Sequence, residues 1–217
     1  MRAHDDGRTP DRSKKRIGKS KPGWKKEYQG QHRFEHWYID NQVYFITSRV
    51  RGRFAAFASE EEAKAIFWDR YEHYTKHYAF IPFVTSLLPN HYRALGYLYC
   101  GANLGPMMQR LHGSVAKLVN DLLEARAEER ITPFWWDRGQ QGYFDGCIRD
   151  EQQCRRAYRY TLEQSMRHRV ARHWRHYPHT RVAIDVERAV TRALEKRAFL
   201  TGVPYKRYEK QNAPRDH

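Results

Sequence analysis

The chain has little cysteine, no long apolar run and too few carboxylates to balance its cations, and each shortage excludes something. Its three cysteines, Cys100, Cys147 and Cys154, are odd in number and show no C-x-x-C spacing. A disulfide framework and a structural zinc site are disfavoured, and a reducing cytoplasm is expected. No stretch approaches the ~20 apolar residues of a membrane-spanning helix, and the first residues lack the apolar core of a secretion signal. A membrane partner is therefore not expected. Asp and Glu number 25 against 40 Lys and Arg, which leaves a net charge of +15. An excess of that size favours a polyanionic partner, nucleic acid first.

Aromatic residues are plentiful, with six Trp and fifteen Tyr. Arg and aromatics together are what a single-strand binder uses, cations for phosphates and rings for bases. The same composition also describes an aromatic core beneath a solvated basic surface. The charge is uneven along the chain. Residues 1–26 hold ten Lys or Arg against three Asp, with almost no apolar residue before Trp24. Residues 1–40 are expected to form a largely disordered basic arm, serving either to release DNA counterions or to solubilise.

Periodicity becomes regular after Gln42. Val43–Val50 is rich in β-branched and aromatic residues and predicts a strand. Ser59, with Glu62 three residues on, forms a capping-box pattern for a helix running to about Tyr78. Strands are predicted near 80–88 and 91–99, with the Pro89-Asn90 bend between them. Leu104–Leu123 carries Met107, Met108, Leu111, Val115, Leu118, Val119 and Leu122 in one helical stripe, read as core. Tyr143–Arg149 predicts a strand, Asp150–His173 a helix, and Val182–Phe199 a last helix before a polar tail. The order βαββαβα implies an α+β fold, an antiparallel sheet with packed helices. Residues 41–180 form the expected domain, and 181–217 its C-terminal helix and tail.

Two local patterns carry chemistry. In Leu88-Pro89-Asn90-His91-Tyr92-Arg93, His91 and Arg93 are two apart on a strand, so they share a face while Tyr92 points to the other. Tyr160 and Gln164 are four apart on a predicted helix and share a face, about 6 Å apart in rise. A phenol, a carboxamide and an imidazole brought together could form a nucleophile beside a metal; on spacing alone an ordinary amphipathic helix explains the second pair better.

These pieces, with Trp136-Asp137-Arg138, Tyr143-Phe144-Asp145 and Ile148-Arg149-Asp150-Glu151 between them, come in the order and spacing of a known family. As a set, over roughly residues 40–180, they resemble the single-tyrosine HUH transposases, in particular the REP-associated tyrosine transposases of bacteria. The resemblance implies a ferredoxin-like antiparallel sheet and a single-stranded or hairpin DNA partner. It also implies a Mg²⁺ or Mn²⁺ ion and a tyrosine that forms a 5′-phosphotyrosine while releasing a 3′-OH. Carried onto this chain, it makes Tyr160 the nucleophile and His91 and Gln164 metal ligands.

Arg93 stands where the family has its second metal-binding histidine. A guanidinium has no lone pair for a metal and stays charged at cellular pH. Metal binding is therefore expected to be weak or absent. Losing it from a phosphoryl transfer is worth on the order of 10²–10⁴ in rate. Either Arg93 itself holds the scissile phosphate in a slow metal-independent nickase, or the chain is a non-catalytic DNA- or RNA-binding protein on the same fold.

Residues 151–181 add eight Arg against two Glu, a basic surface beside Tyr160. The DNA-contacting residues expected are Arg93, Arg138, Arg149, Arg155, Arg156, Arg159 and Arg167, with Trp135, Trp136, Tyr143 and Phe144 as stacking candidates, each of which serves a core role equally well. His168, His173, His176 and His179 form no metal pattern and are read as surface or DNA-facing. His112 is the other histidine weighed as a replacement ligand, though no spacing points to it. A monomer or homodimer is expected.

Overall fold

A computed structural model describes residues 38–51, 56–57, 61–136 and 142–202, all within one unit spanning His32–His217. The basic arm up to residue 37, the Ser59 cap, Arg138 and the tail from residue 203 lie outside the described residues.

The elements run β1 (Gln42–Arg49), α1 (Glu61–His77), β2 (Phe80–Leu88), β3 (His91–Leu98), α2 (Leu104–Ala125), β4 (Phe144–Cys147), α3 (Glu151–Leu162), α4 (Gln164–Arg167), β5 (Thr180–Val182) and α5 (Val186–Thr201). The sheet order is β4-β1-β3-β2-β5 and every pairing is antiparallel. Without β5 this is the βαββαβ order of a ferredoxin-like sheet, in which each helix crossover carries the chain over one neighbouring strand position. The expected fold class is therefore the one observed.

Strand alternation divides the sheet into two faces. Tyr44, Ile46, Tyr92, Ala94 and Leu98 meet Phe67, Tyr71, Met107, Met108, Leu111 and Val115 of α1 and α2 in the larger core. Each such side chain, fully buried, contributes roughly 1.5–3 kcal/mol. Gly96 in β3 is there because the backbone leaves no room: a Cβ would lie 2.5 Å from the Phe80 ring and 2.6 Å from the Ile81 carbonyl oxygen. The opposite face carries Val84 and Leu95, packed with Ile148, Tyr158 and Val186 from the C-terminal segment. His91 and Arg93 belong to this second face.

Two expectations needed correction. The single helix over 150–173 is broken. It begins as the sequence suggests, with the Asp150 carboxylate accepting the Gln153 N–H at 2.6 Å. It ends at Leu162 because side chains compete for its carbonyls. Thr161 Oγ1 donates to the Ala157 carbonyl, and Gln164 Nε2 to the Tyr160 carbonyl at 2.8 Å. One further turn, α4, follows, and Arg169 at φ 57° turns the chain away. The last helix starts at Val186, not Val182, since Thr180–Val182 forms the strand β5 at the edge of the sheet beside β2. Three residues are too short for alternation to be read.

Candidate functional site

The site forms where β3 passes under the α3–α4 break. Opposite Arg93 on β1 is Thr47, and opposite His91 is Arg49. Helix α3 brings Tyr160 over this part of the sheet. Its ring lies 4.5 Å from the Arg93 guanidinium carbon, 5.1 Å from that of Arg167 and 6.2 Å from the Phe45 ring centroid. Tyr160 is half-buried, and its hydroxyl has no hydrogen bond to another described residue. Arg93 donates through one terminal nitrogen to Thr47 Oγ1 at 3.3 Å, while its Nε is buried without a partner. Burial lowers the pKa of Arg93, with Tyr160 opposing and Arg167 adding to the fall. The group remains a cation.

His91 and Gln164 complete the floor. Both are buried, and His91 Nδ1 is paired with Asn90 Oδ1 at 2.8 Å. His91 Nε2, Gln164 Oε1 and the neighbouring Ser165 hydroxyl are buried without hydrogen-bond partners. Unpaired buried polar atoms are rare in folded proteins and mark places where a ligand or water is received. Burial pushes the His91 pKa down to about 4, with His168 and Arg93 adding to it and Gln164 pulling the other way. The ring is therefore neutral near pH 7.

His168, expected at the surface or facing DNA, is exposed, and its contact with His91 is what sequence reasoning missed here. It follows α4, and its ring meets the His91 ring edge-on at 4.7 Å between centroids. A histidine beyond a predicted helix face gave no such signal, because only the break at Glu163 turns it back over the strand. The other three histidines divide. His179 is buried, with Nδ1 3.3 Å from Trp68 Nε1 and Nε2 3.4 Å from a Glu61 carboxylate oxygen, so the surface reading is corrected. His173 accepts the Arg175 N–H, and His176 is exposed. His112 is excluded as a replacement ligand: it is buried on the α2 face against Tyr92 Oη and stacked on Trp135 at 4.3 Å.

The donor set does not fit a divalent ion well. His91 Nε2 and Gln164 Oε1 offer two neutral lone pairs. The charges around them belong to Arg49, Arg93 and Arg167, and the nearby carboxylate, Glu163, is already paired with Arg167 at 2.9 Å. Among the described residues no group of three or more His, Cys, Asp or Glu is arranged to hold a metal. The balance of charge favours an anion.

The remaining expected contacts fall in different places. Arg156, Arg159 and Arg167 border a cleft of about 600 Å³ between β4 and α3, which Tyr160 also lines. Arg159 is ion-paired with Glu187 at 2.5 Å, and Arg155 is half-buried between Glu151 and Glu187. Arg149 is exposed at the start of α3. Trp136 is 40% exposed with Arg49 over its ring, at the same end of the sheet as His91. Tyr143 is half-buried and packs edge-on against His112, on the α2 side of the sheet, away from Tyr160. It is a core residue here and not a stacking surface beside the tyrosine.

No protein-family model matches the sequence, and no curated protein matches it. Among solved structures, the chain is similar to a REP-associated tyrosine transposase bound to a REP hairpin. The TM-score is 0.55 at 15% identity, over 75% of this chain and 87% of that one. At that identity the likeness establishes a shared fold. A second structure, a provisionally named transposase from Deinococcus radiodurans R1, aligns at TM-score 0.41 and 10% identity over 59% of this chain and 95% of that one.

Proposed function

We propose that this chain is a transposase-like protein that binds hairpin-bearing single-stranded DNA and cuts and rejoins it through Tyr160. The observation that carries this reading is the Tyr160 ring packed against the Arg93 and Arg167 guanidinium groups with its hydroxyl unengaged, Arg93 lying on the same face of β3 as His91, whose Nε2 is buried without a partner. The shared fold with a transposase bound to a DNA hairpin supports it, as does the chain's charge of +15. In the reaction, Tyr160 Oη attacks a backbone phosphorus and loses its proton. The bond from phosphorus to the 3′ oxygen breaks, the 3′ oxygen takes up a proton, and the 5′ phosphate remains on the tyrosine. Attack by another 3′-OH reverses these steps and rejoins the strand. Arg93 neutralises the phosphate, Arg offering N–H donors to its oxygens, and Arg167 joins it on exchanging its Glu163 partner for the phosphate. No divalent ion enters the scheme.

The test is incubation of the protein with labelled hairpin single-stranded DNA, followed by denaturing electrophoresis. A covalent adduct in the wild type and none in Tyr160→Phe is the expected result, because that change removes only the attacking oxygen. An adduct that survives in Tyr160→Phe makes another residue the nucleophile. Binding without any adduct favours the second reading, a non-catalytic DNA- or RNA-binding protein. The charge of Arg93 where a metal-binding imidazole is expected is the observation that keeps that reading open.

A further inference from the structure

We infer that the cleft between β4 and α3 receives an unpaired nucleobase of the bound strand, next to the phosphate at Tyr160. This deepens the single-strand reading above and rests on it. The cleft, of about 600 Å³, is lined by Phe45, Phe144, Ile148 and Ala157 and bordered by Arg156 and by Arg167, which is ion-paired with Glu163. Its size suits one or two bases, within the range of small-molecule sites. Its chemistry suits them as well: an apolar aromatic floor stacks a π-face, and guanidinium groups beside it take the adjoining phosphates.

Four features single this cleft out. Phe144 is 40% exposed on β4, although a large apolar ring gains by burial. Strand alternation puts Gly146 on the same face as Phe144. The nearest atoms to a Cβ there would be the Phe144 ring at 3.7 Å, so the missing side chain leaves open space beside the ring. Tyr160 belongs to the cleft wall and at the same time to the Arg93 cluster, so a base in the cleft and a phosphate at the tyrosine meet the same side chain. Arg156 borders the opening with no carboxylate partner among the described residues.

The experiment uses the full chain carrying Tyr160→Phe, so that no strand is cut. Its ligand is a hairpin oligonucleotide with single-stranded flanks in which each unpaired position in turn is made abasic. Affinity is read by fluorescence anisotropy. One or two adjacent positions are expected to weaken binding by roughly 5- to 100-fold when the base is removed, the scale of one stacking contact. That penalty should collapse to less than about twofold when Phe144→Ala or Gly146→Val is added, since a base that no longer stacks cannot be missed. Phe144→Trp should retain it. The Cβ added by Gly146→Val meets only ordinary contact with the Phe144 ring, and circular dichroism and melting confirm that each variant is folded. An abasic penalty that is the same in all variants, or absent at every position while the oligonucleotide binds, overturns the cleft assignment alone. No binding of any oligonucleotide overturns it together with the functional reading beneath it.

Discussion

Arg93 decides the chemistry of the site at the scale of single residues. Its charge lies two positions from His91 on one strand and over the Tyr160 ring, so a cation entering the site meets a fixed guanidinium while a phosphate is attracted by it. Wild-type protein is accordingly expected to bind Mn²⁺ weakly or not at all in calorimetry, and Arg93→His to bind it more tightly, through one added lone pair and one lost charge. Equal, tight binding by both would sink this and make His168, beside His91, the replacement ligand. A second residue-scale prediction concerns His112, whose pKa burial pushes down to about 3. Its unfolded value is near 6.5, so above that pH neither state is protonated and the residue is neutral in its effect. As the pH falls below 6.5 the unfolded chain takes up a proton that the native state refuses, and stability is lost down to about pH 3. At pH 4.5 the loss is roughly 2–3 kcal/mol. Denaturant melts of His112→Gln should be flatter than wild type over pH 6.5–4.5; an equally steep fall would mean that other groups govern the acid limb.

At the scale of elements, α3 carries Tyr160; its start has a local cause and its stop does not. The start falls at Asp150, where the sequence places it, and the Asp150 carboxylate caps the helix by accepting the Gln153 N–H. Asp150→Ala is expected to cost about 1 kcal/mol, which lowers the melting temperature by roughly 2–4 °C for a chain of this size; an unchanged melting temperature would show that packing alone fixes the helix start. The stop was not legible. Nothing in Thr161-Leu162-Glu163-Gln164 breaks a helical pattern, and the break depends on Gln164 being fully buried with its amide returned to the Tyr160 carbonyl. Burial is a property of the packed sheet beneath, so the sequence read the segment as one helix and missed His168 over His91. Strand β5 escaped for a related reason: its three residues gain their pairing from β2, not from their own pattern.

For the molecule as a whole, the excess of basic residues acts through those that are not already paired. Sequence counting gives Arg155, Arg156 and Arg159 equal weight, but Glu187 holds two of them. Arg156→Gln is expected to flatten the salt dependence of single-stranded DNA binding by about 0.7 in log–log slope, the share of one phosphate contact. Arg155→Gln should leave the slope nearly unchanged and lower thermal stability instead. Anisotropy titrations across a salt series measure both, and a larger slope change for Arg155 than for Arg156 would overturn the assignment. The sequence by itself determined the α+β class, the antiparallel order of the sheet, and the positions of His91 and Arg93 on one strand face. Hydrophobic periodicity and turn residues are local, and they agree with the fold they build. Only the tertiary structure decided that Tyr160 stacks on Arg93, that His168 meets His91, that Tyr143 packs on the α2 side of the sheet, that His179 is interior, and that Phe144 and Gly146 leave a cleft open. Each of these depends on which elements pack over which face, a matter of long-range contacts between segments that no spacing along the chain records.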